Sequence, residues 1–231
     1  MSIQRLSLRF SLAATLMAAA LAPAHAAVID TTFIDTTSLW DGKNIVYPFG
    51  GSGSTTTYGE TFLAPGGALK NFTFFINTFG KSIAASARIY AWSDQQQGGS
   101  ALGQALFSQA VTLNSNSLQS FTFNAGSLAL SKNASYVALL TVTDNSQPGN
   151  SQWGMLSRRS GRPYDGKFVF YNNNGNATLL TNSKWDGLNW SNSLAWKASF
   201  TDVPEPASLA LLGMGLFGLM ASRRKNKSAQ A

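Results

Sequence analysis

Tyr136-Val137-Ala138-Leu139-Leu140-Thr141-Val142 is the stretch that decides the fold. Its β-branched and aromatic residues favour extended backbone, and its nearly continuous apolar character predicts a central strand covered on both sides. Working outward, Phe72-Thr73-Phe74-Phe75-Ile76, Ala87-Arg88-Ile89-Tyr90-Ala91-Trp92, Phe121-Thr122-Phe123, Phe168-Val169-Phe170-Tyr171 and Trp196-Lys197-Ala198-Ser199-Phe200 are of the same kind. Several alternate with a period of two. Phe121 and Phe123 face one way with Thr122 opposite, and Trp196, Ala198 and Phe200 share a face opposed to Lys197 and Ser199, so one face of each is core. Pro65-Gly66-Gly67, Gly98-Gly99, Pro148-Gly149 and Asn172-Asn173-Asn174-Gly175-Asn176 are turn signals, spaced for hairpins and sandwich connections. Gly50 to Thr57 and Gln95 to Gly103 are low in complexity and read as mobile loops. No long helical period interrupts the pattern. The expected fold is all-β: about nine or ten short strands in an antiparallel sandwich of jelly-roll type.

Charge and composition narrow the function. The chain has a formal net charge of +7, but Arg5, Arg9, Arg223, Arg224, Lys225 and Lys227 lie at its two ends. The body between them carries only about two net positive charges, too few and too dispersed to neutralise a phosphate backbone, so no nucleic-acid partner is expected. Arg158, Arg159 and Arg162 form the one local basic cluster and read as a solvated loop face. There is no cysteine, so stability must come from the apolar core and backbone pairing alone. A single histidine, His25, precedes the body. Without it, a Ser-His-Asp triad, a Cys-His pair and a His-Glu-x-x-His zinc site are excluded by inventory. The only Ser-x-x-Lys match, Ser222 to Lys225, falls in a basic tail. Glu60 is the only glutamate of the body. A glycosidase would therefore need a pair drawn from Glu60, Asp94, Asp144, Asp165 and Asp186. No cofactor, metal site or catalytic residue is assigned, and the expectation is that the protein is not an enzyme.

The two ends carry addresses. Arg5 and Arg9 precede an apolar segment from Phe10 to Leu21, followed by Ala22-Pro23-Ala24-His25-Ala26. This is the pattern of a secretory signal peptide over residues 1–26, cleaved between Ala26 and Ala27 as the first choice and after Ala24 as the second. The far end reads Val203-Pro204-Glu205-Pro206, then an apolar run from Ala207 to Ala221, then Arg223-Arg224-Lys225. The prolines end any strand before them. The apolar run is short for a transmembrane helix and crosses marginally, and the basic residues behind it stay cytoplasmic by the positive-inside bias. This tripartite pattern resembles the PEP-CTERM sorting signal of Gram-negative bacteria, with Pro204, Glu205 and Pro206 matching the motif that names it. The resemblance implies processing by an exosortase, a membrane-embedded cysteine transpeptidase acting near the motif. It further implies a transient stay in the inner membrane, a destination at the cell surface or in extracellular matrix, and a setting of exopolysaccharide and biofilm. Three segments follow: residues 1–26, an extracytoplasmic domain over 27–202, and a sorting tail over 203–231.

What the body does is less marked. Trp40-Asp41-Gly42, Tyr164-Asp165-Gly166 and Trp185-Asp186-Gly187 each set an aromatic before Asp-Gly. That dipeptide favours tight turns, and the repeat is read first as three similar hairpins. The rival reading makes the aromatics a sugar platform, or the aspartates oxygen donors to Ca²⁺. Trp153, Trp185 and Trp190 lie near turns and would form the platform of a carbohydrate-binding module. The preferred reading is a surface or matrix protein with a structural or adhesive role, having signal peptidase and exosortase as its processing partners and exopolysaccharide as a candidate ligand. Small residues at Ala24 and Ala26 set the expected mature N-terminus at Ala27. Terminal sequencing of the exported protein checks this, and a chain still beginning at Met1 removes the export argument.

Overall fold

The computed structural model describes residues 30–51, 53–95, 98–156, 166–187 and 193–201. The signal segment, the basic loop with Arg158, Arg159 and Arg162, and the sorting tail lie outside them. The expected central strand is β8, Ser135–Val142, which pairs antiparallel with β3, Thr57–Leu63, and with β5, Ile83–Gln95. Strand period two divides its side chains cleanly. Tyr136, Ala138, Leu140 and Val142 enter the main core, whereas Val137 and Leu139 enter a second cluster on the other face.

Two six-stranded sheets make the body, and every ladder between the strands is antiparallel. In the first, β12 (Trp196–Thr201) lies between β1 (Asp30–Asp35) and β4 (Ala68–Asn77). Phe74 of β4 faces both Trp196 and Phe121, while Ile76 faces both Trp153 and Gln119. Hence β12 and β9 (Ser151–Gly154) follow one another along one edge of β4, and β7 (Gln119–Ala129) runs along the other. β2 (Ile45–Phe49) completes this sheet beside β9. The second sheet runs β11 (Asp186–Gly187), β10 (Phe168–Tyr171), β3, β8, β5 and β6 (Gly98–Leu113). The set β1-β12-β4-β7 stacked on β3-β8-β5-β6 is the four-on-four order of a jelly roll. All six stretches picked out by their aromatic and β-branched residues are strands. Among the described residues the count is twelve rather than nine or ten, because β1, β2, β3, β6, β9 and β11 carry glycine, proline or polar residues that dilute the pattern.

Aromatic rings fill the space between the sheets. Trp153 of the first sheet meets Phe49, Tyr58 and Phe74 at centroid distances of 5.0, 5.4 and 5.1 Å. Trp196 reaches Phe62 of the second sheet at 5.3 Å. Tilted and edge-on pairs of this kind add to the burial of large apolar area, which suits a domain with no disulfide. Phe121 and Phe123 pack inward while Thr122 bonds Thr73 on the outer face.

The second cluster corrects one expectation. Gln95 to Gly103 does not form a long loop: β5 runs to Gln95 and β6 starts at Gly98, so the hairpin extends past the end of β8. Its outer part, at Trp92, Asp94 and Gly99, is clasped against the far side of the sheet. The Trp185 N–H donates to the Gly99 carbonyl at 2.8 Å, and Lys167 forms an ion pair with Asp94. Trp92 and Trp185 then meet edge to face at 5.4 Å. A Cβ on Gly99 would lie 2.5 Å from the Trp92 ring and 2.4 Å from the Ser93 carbonyl oxygen, so only glycine fits there.

Asn173 anchors the covering segment at its other end. It is fully buried, its Oδ1 accepts from the hydroxyls of Thr56 and Thr57, its Nδ2 donates to Thr141 Oγ1 and the Asn176 carbonyl, and its N–H donates to Thr56 Oγ1. Every polar site of the amide is used. Removing it leaves several buried groups unpaired, each costing about 1–3 kcal/mol. Asn173→Ala is therefore expected to lower unfolding stability by roughly 3 kcal/mol, against roughly 0.5 kcal/mol or less for the exposed control Gln104→Ala. Urea titration checks this as a fall in midpoint at unchanged slope.

Candidate functional site

The tryptophans proposed as a sugar platform are packing residues where they are described. Trp153 is fully buried between the sheets, because β9 turns it inward against Tyr58 and Phe74. Trp185 is fully buried in the outer cluster, where its indole Nε1–H donates to the Leu180 carbonyl at 2.8 Å and its ring stacks on Tyr171. Neither presents a ring face to solvent. Trp190 lies outside the described residues. The aromatic rings that are open stand elsewhere: Tyr47 on β2, Phe33 on β1 and Phe79 in the turn after β4 are each at least half exposed.

The Asp-Gly repeat also divides. Asp41-Gly42 is a turn: Asp41 Oδ1 accepts from the backbone N–H of Lys43 and Asn44, and Gly42 takes a positive φ of 73°. Those N–H groups hold the Asp41 carboxyl below its ordinary range. Asp186-Gly187 is not a turn but the edge strand β11, paired with Val169 and Phe170. Asp165 lies outside the described residues. A calcium site shared by the three aspartates thus lacks the common geometry that first suggested it, and among the described residues no three acids or histidines cluster.

Of the carboxylates considered for catalysis, Glu60, Asp94 and Asp144 are engaged in structure. Glu60 is fully buried on the core face of β3, where its Oε2 accepts from the Leu194 N–H at 2.8 Å. Asp94 is tied to Lys167. Asp144 accepts from the Ser146 N–H and hydroxyl and from the Gln147 amide, which keeps its carboxyl low. Burial pushes the Asp35 carboxyl up, but bonds from Thr37 and Lys197 outweigh it and leave it low. These groups are held by turns, ion pairs and backbone N–H donors. Tyr58 has its hydroxyl pushed up to about 12 by burial, while donating to the Pro48 carbonyl. It holds its proton and ties β3 to β2.

Sequence reasoning missed the open edge formed by β6 and β7. Between Asp94 and Lys132 the chain has no charged residue and no proline, a signal that becomes legible once both strands are known to be edges.

No curated protein matches the sequence. Among solved structures, the cysteine protease and lectin-like domains of a surface layer associated protein of Clostridium difficile share 14% identity at a TM-score of 0.41, over 64% of this chain and 32% of that one. A clostridial cysteine protease after propeptide cleavage gives 13% identity and 0.43, over 71% and 38%. Infectious bursal disease virus Gx strain gives 13% and 0.29, over 90% and 54%. The chain spans 32% and 38% of the two clostridial chains, and all three likenesses are distant. The tail gives a direct match: residues 202–225 correspond to the PEP-CTERM protein-sorting motif. That range contains Pro204, Glu205 and Pro206, the apolar run, and Arg223, Arg224 and Lys225. The chain carries a PEP-CTERM sorting motif at its C-terminal end, behind an all-β sandwich.

Proposed function

We propose that this is an exported protein whose tail is recognised by an exosortase and whose β-sandwich reaches the cell surface or extracellular matrix, where its role is structural or adhesive. The sorting motif at residues 202–225 carries the reading. It matches in all three parts, and each part has a physical task. Pro204, Glu205 and Pro206 mark the processing region. The run from Ala207 to Ala221 holds the chain in the inner membrane until processing occurs. Arg223, Arg224 and Lys225 keep the extreme end cytoplasmic. Among the described residues no helix is long and apolar enough to cross a membrane.

A non-catalytic body is supported by its chemistry. Once residues 1–26 are removed by signal peptidase, the chain has neither histidine nor cysteine, and Asp35, Asp41, Glu60, Asp94 and Asp144 are held by backbone and neighbouring side chains. The burial of Trp153 and Trp185 supports the structural reading over a carbohydrate-binding module. Contact with exopolysaccharide remains part of the proposed setting and rests on the sorting motif alone.

The tail has separable parts, which makes the proposal testable. Glu205→Ala leaves the apolar run and the arginines intact, so a plain anchor tolerates it without change in size or retention. A processed signal does not. The Glu205→Ala protein is expected to accumulate uncut in the inner membrane, while the parent reaches the surface with a shortened C-terminus. Mass spectrometry of the surface fraction decides the matter, and a parent protein that retains Leu209 to Ala231 there defeats the proposal.

A further inference from the structure

Edge strands expose unpaired N–H and C=O groups, and sandwich proteins normally guard them with charge, proline or brevity. Three edges here follow that rule. β1 carries Asp30 and Asp35, β2 carries Pro48, and β11 is two residues long with Asp186 as one of them. β6 and β7 do not. β6 is the longest strand of the body at 16 residues and β7 has 11. Neither contains a charged residue or a proline.

The two strands are consecutive in sequence and border different sheets on one flank of the sandwich. Among the described residues β6 pairs only with β5 and, at Gly99, with Trp185, and β7 pairs only with β4. Bulges interrupt each edge, near Gly103 with φ 66° and at Gly126 and Ser127 with φ 64° and 65°. Regular, straight segments remain between them. On β6 this is Phe107 to Leu113, matched residue for residue to Ile89 through Ile83. On β7 it is Gln119 to Asn124, matched to Ile76 through Asn71. Leu102 and Leu106 beside the β6 segment are 46% and 45% exposed.

We infer that the Phe107 to Leu113 edge is a self-association surface, on which a second copy of this chain adds its own β6 antiparallel across a two-fold axis. Neutrality selects the occupant. A strongly charged partner would find no counter-charge on β6 or β7 themselves, and Arg88, opposite Ser108 on β5, is already bonded to Ser86 and Tyr90, whereas an identical edge brings no like-charge conflict and supplies matching backbone donors and acceptors. Antiparallel pairing of a strand with its own copy is isologous and closes after two subunits. It gives a dimer and not a fibre. Ala110 is the midpoint of the segment and pairs with Ser86 on the outer face of the sheet, away from the core. A two-fold axis through it places Ala110 opposite the same residue of the second copy, with room for these small side chains.

The chain contains no cysteine, which gives a clean test. Full-length protein in mild detergent is expected to show the protein mass of two chains by light scattering combined with absorbance and refractive index. Ala110→Lys sets two ammonium groups face to face and is expected to halve that mass, with an unchanged circular dichroism spectrum. Ala110→Cys is expected to form an intermolecular disulfide on mild oxidation, since residues directly opposed across such a ladder lie within disulfide reach. Phe33→Cys, on the guarded β1 edge, is expected to remain reduced. Parent protein of single-chain mass overturns the inference. So does Ala110→Lys protein that folds and keeps the mass of two chains, or cross-linking at Phe33→Cys without cross-linking at Ala110→Cys. Sorting through the tail is read from the C-terminus of the surface form, so either conclusion can fail without the other.

Discussion

The outer face of the second sheet is the constraint on which much of the body depends. Val137, Leu139 and Val169 point away from the sandwich core, and left open they would form an apolar patch on a monomer's surface. The chain covers them from both directions. From one side the ends of β5 and β6 bring Trp92 and Ala101; from the other the segment after β10 brings Leu180 and Trp185. Both arms need exact seating, which is why Gly99 has no room for a side chain and Asn173 has no spare hydrogen-bonding group. Gly59 serves the same cover from beneath, since a Cβ there would press on Val137 at 2.9 Å. A sandwich has become a three-layer object over part of its surface.

This third layer decides which aromatics are available for binding. Trp185 is near a turn in sequence yet closed in space, because the turn folds down onto the sheet. Trp153 is closed for a different reason: β9 extends the line of β12, and its inward face is the inter-sheet core. Burial of each contributes roughly 2–3 kcal/mol or more of apolar stabilisation, so neither ring can turn outward to meet a ligand without loosening its layer. The body gains in packing what it gives up in surface chemistry. Glu60 follows the same logic from the polar side, its carboxylate spent on the Leu194 N–H that holds the approach to β12.

Legibility in the sequence tracked the range of the interactions. β8 could be read because two-sided burial removes polar residues from both faces of a strand, a local consequence of a global position. β7 and β12 could be read because one-sided burial leaves strict alternation. β3 could not, since Gly59 has no side chain to report its face and Glu60 places a carboxylate where alternation demands an apolar residue. β6 was hidden by the bulge at Gly103, which breaks the period of two, and by the glycines that let its first residues pass under Trp92. The sorting motif was fully legible, because recognition there depends on residues adjacent in the chain. The exposure of individual tryptophans was not, because it depends on segments far apart in sequence meeting over one sheet.

The uncharged edge combines both kinds of information. Absence of charge between Asp94 and Lys132 is plain in the sequence, but it has no meaning until the topology is known: a neutral strand at the centre of a sheet is ordinary, and a neutral strand at its rim is exposed. The jelly-roll order puts β6 and β7 at the rim together, since consecutive strands that cross from one sheet to the other at the end of the roll necessarily share a flank. Guarding the opposite flank with Asp30, Asp35 and Pro48 while leaving this one bare limits association to a single side. Pairing on one flank closes, whereas two bare flanks would allow head-to-tail growth. The distribution of a few charges between the two rims therefore separates a discrete assembly from an open one.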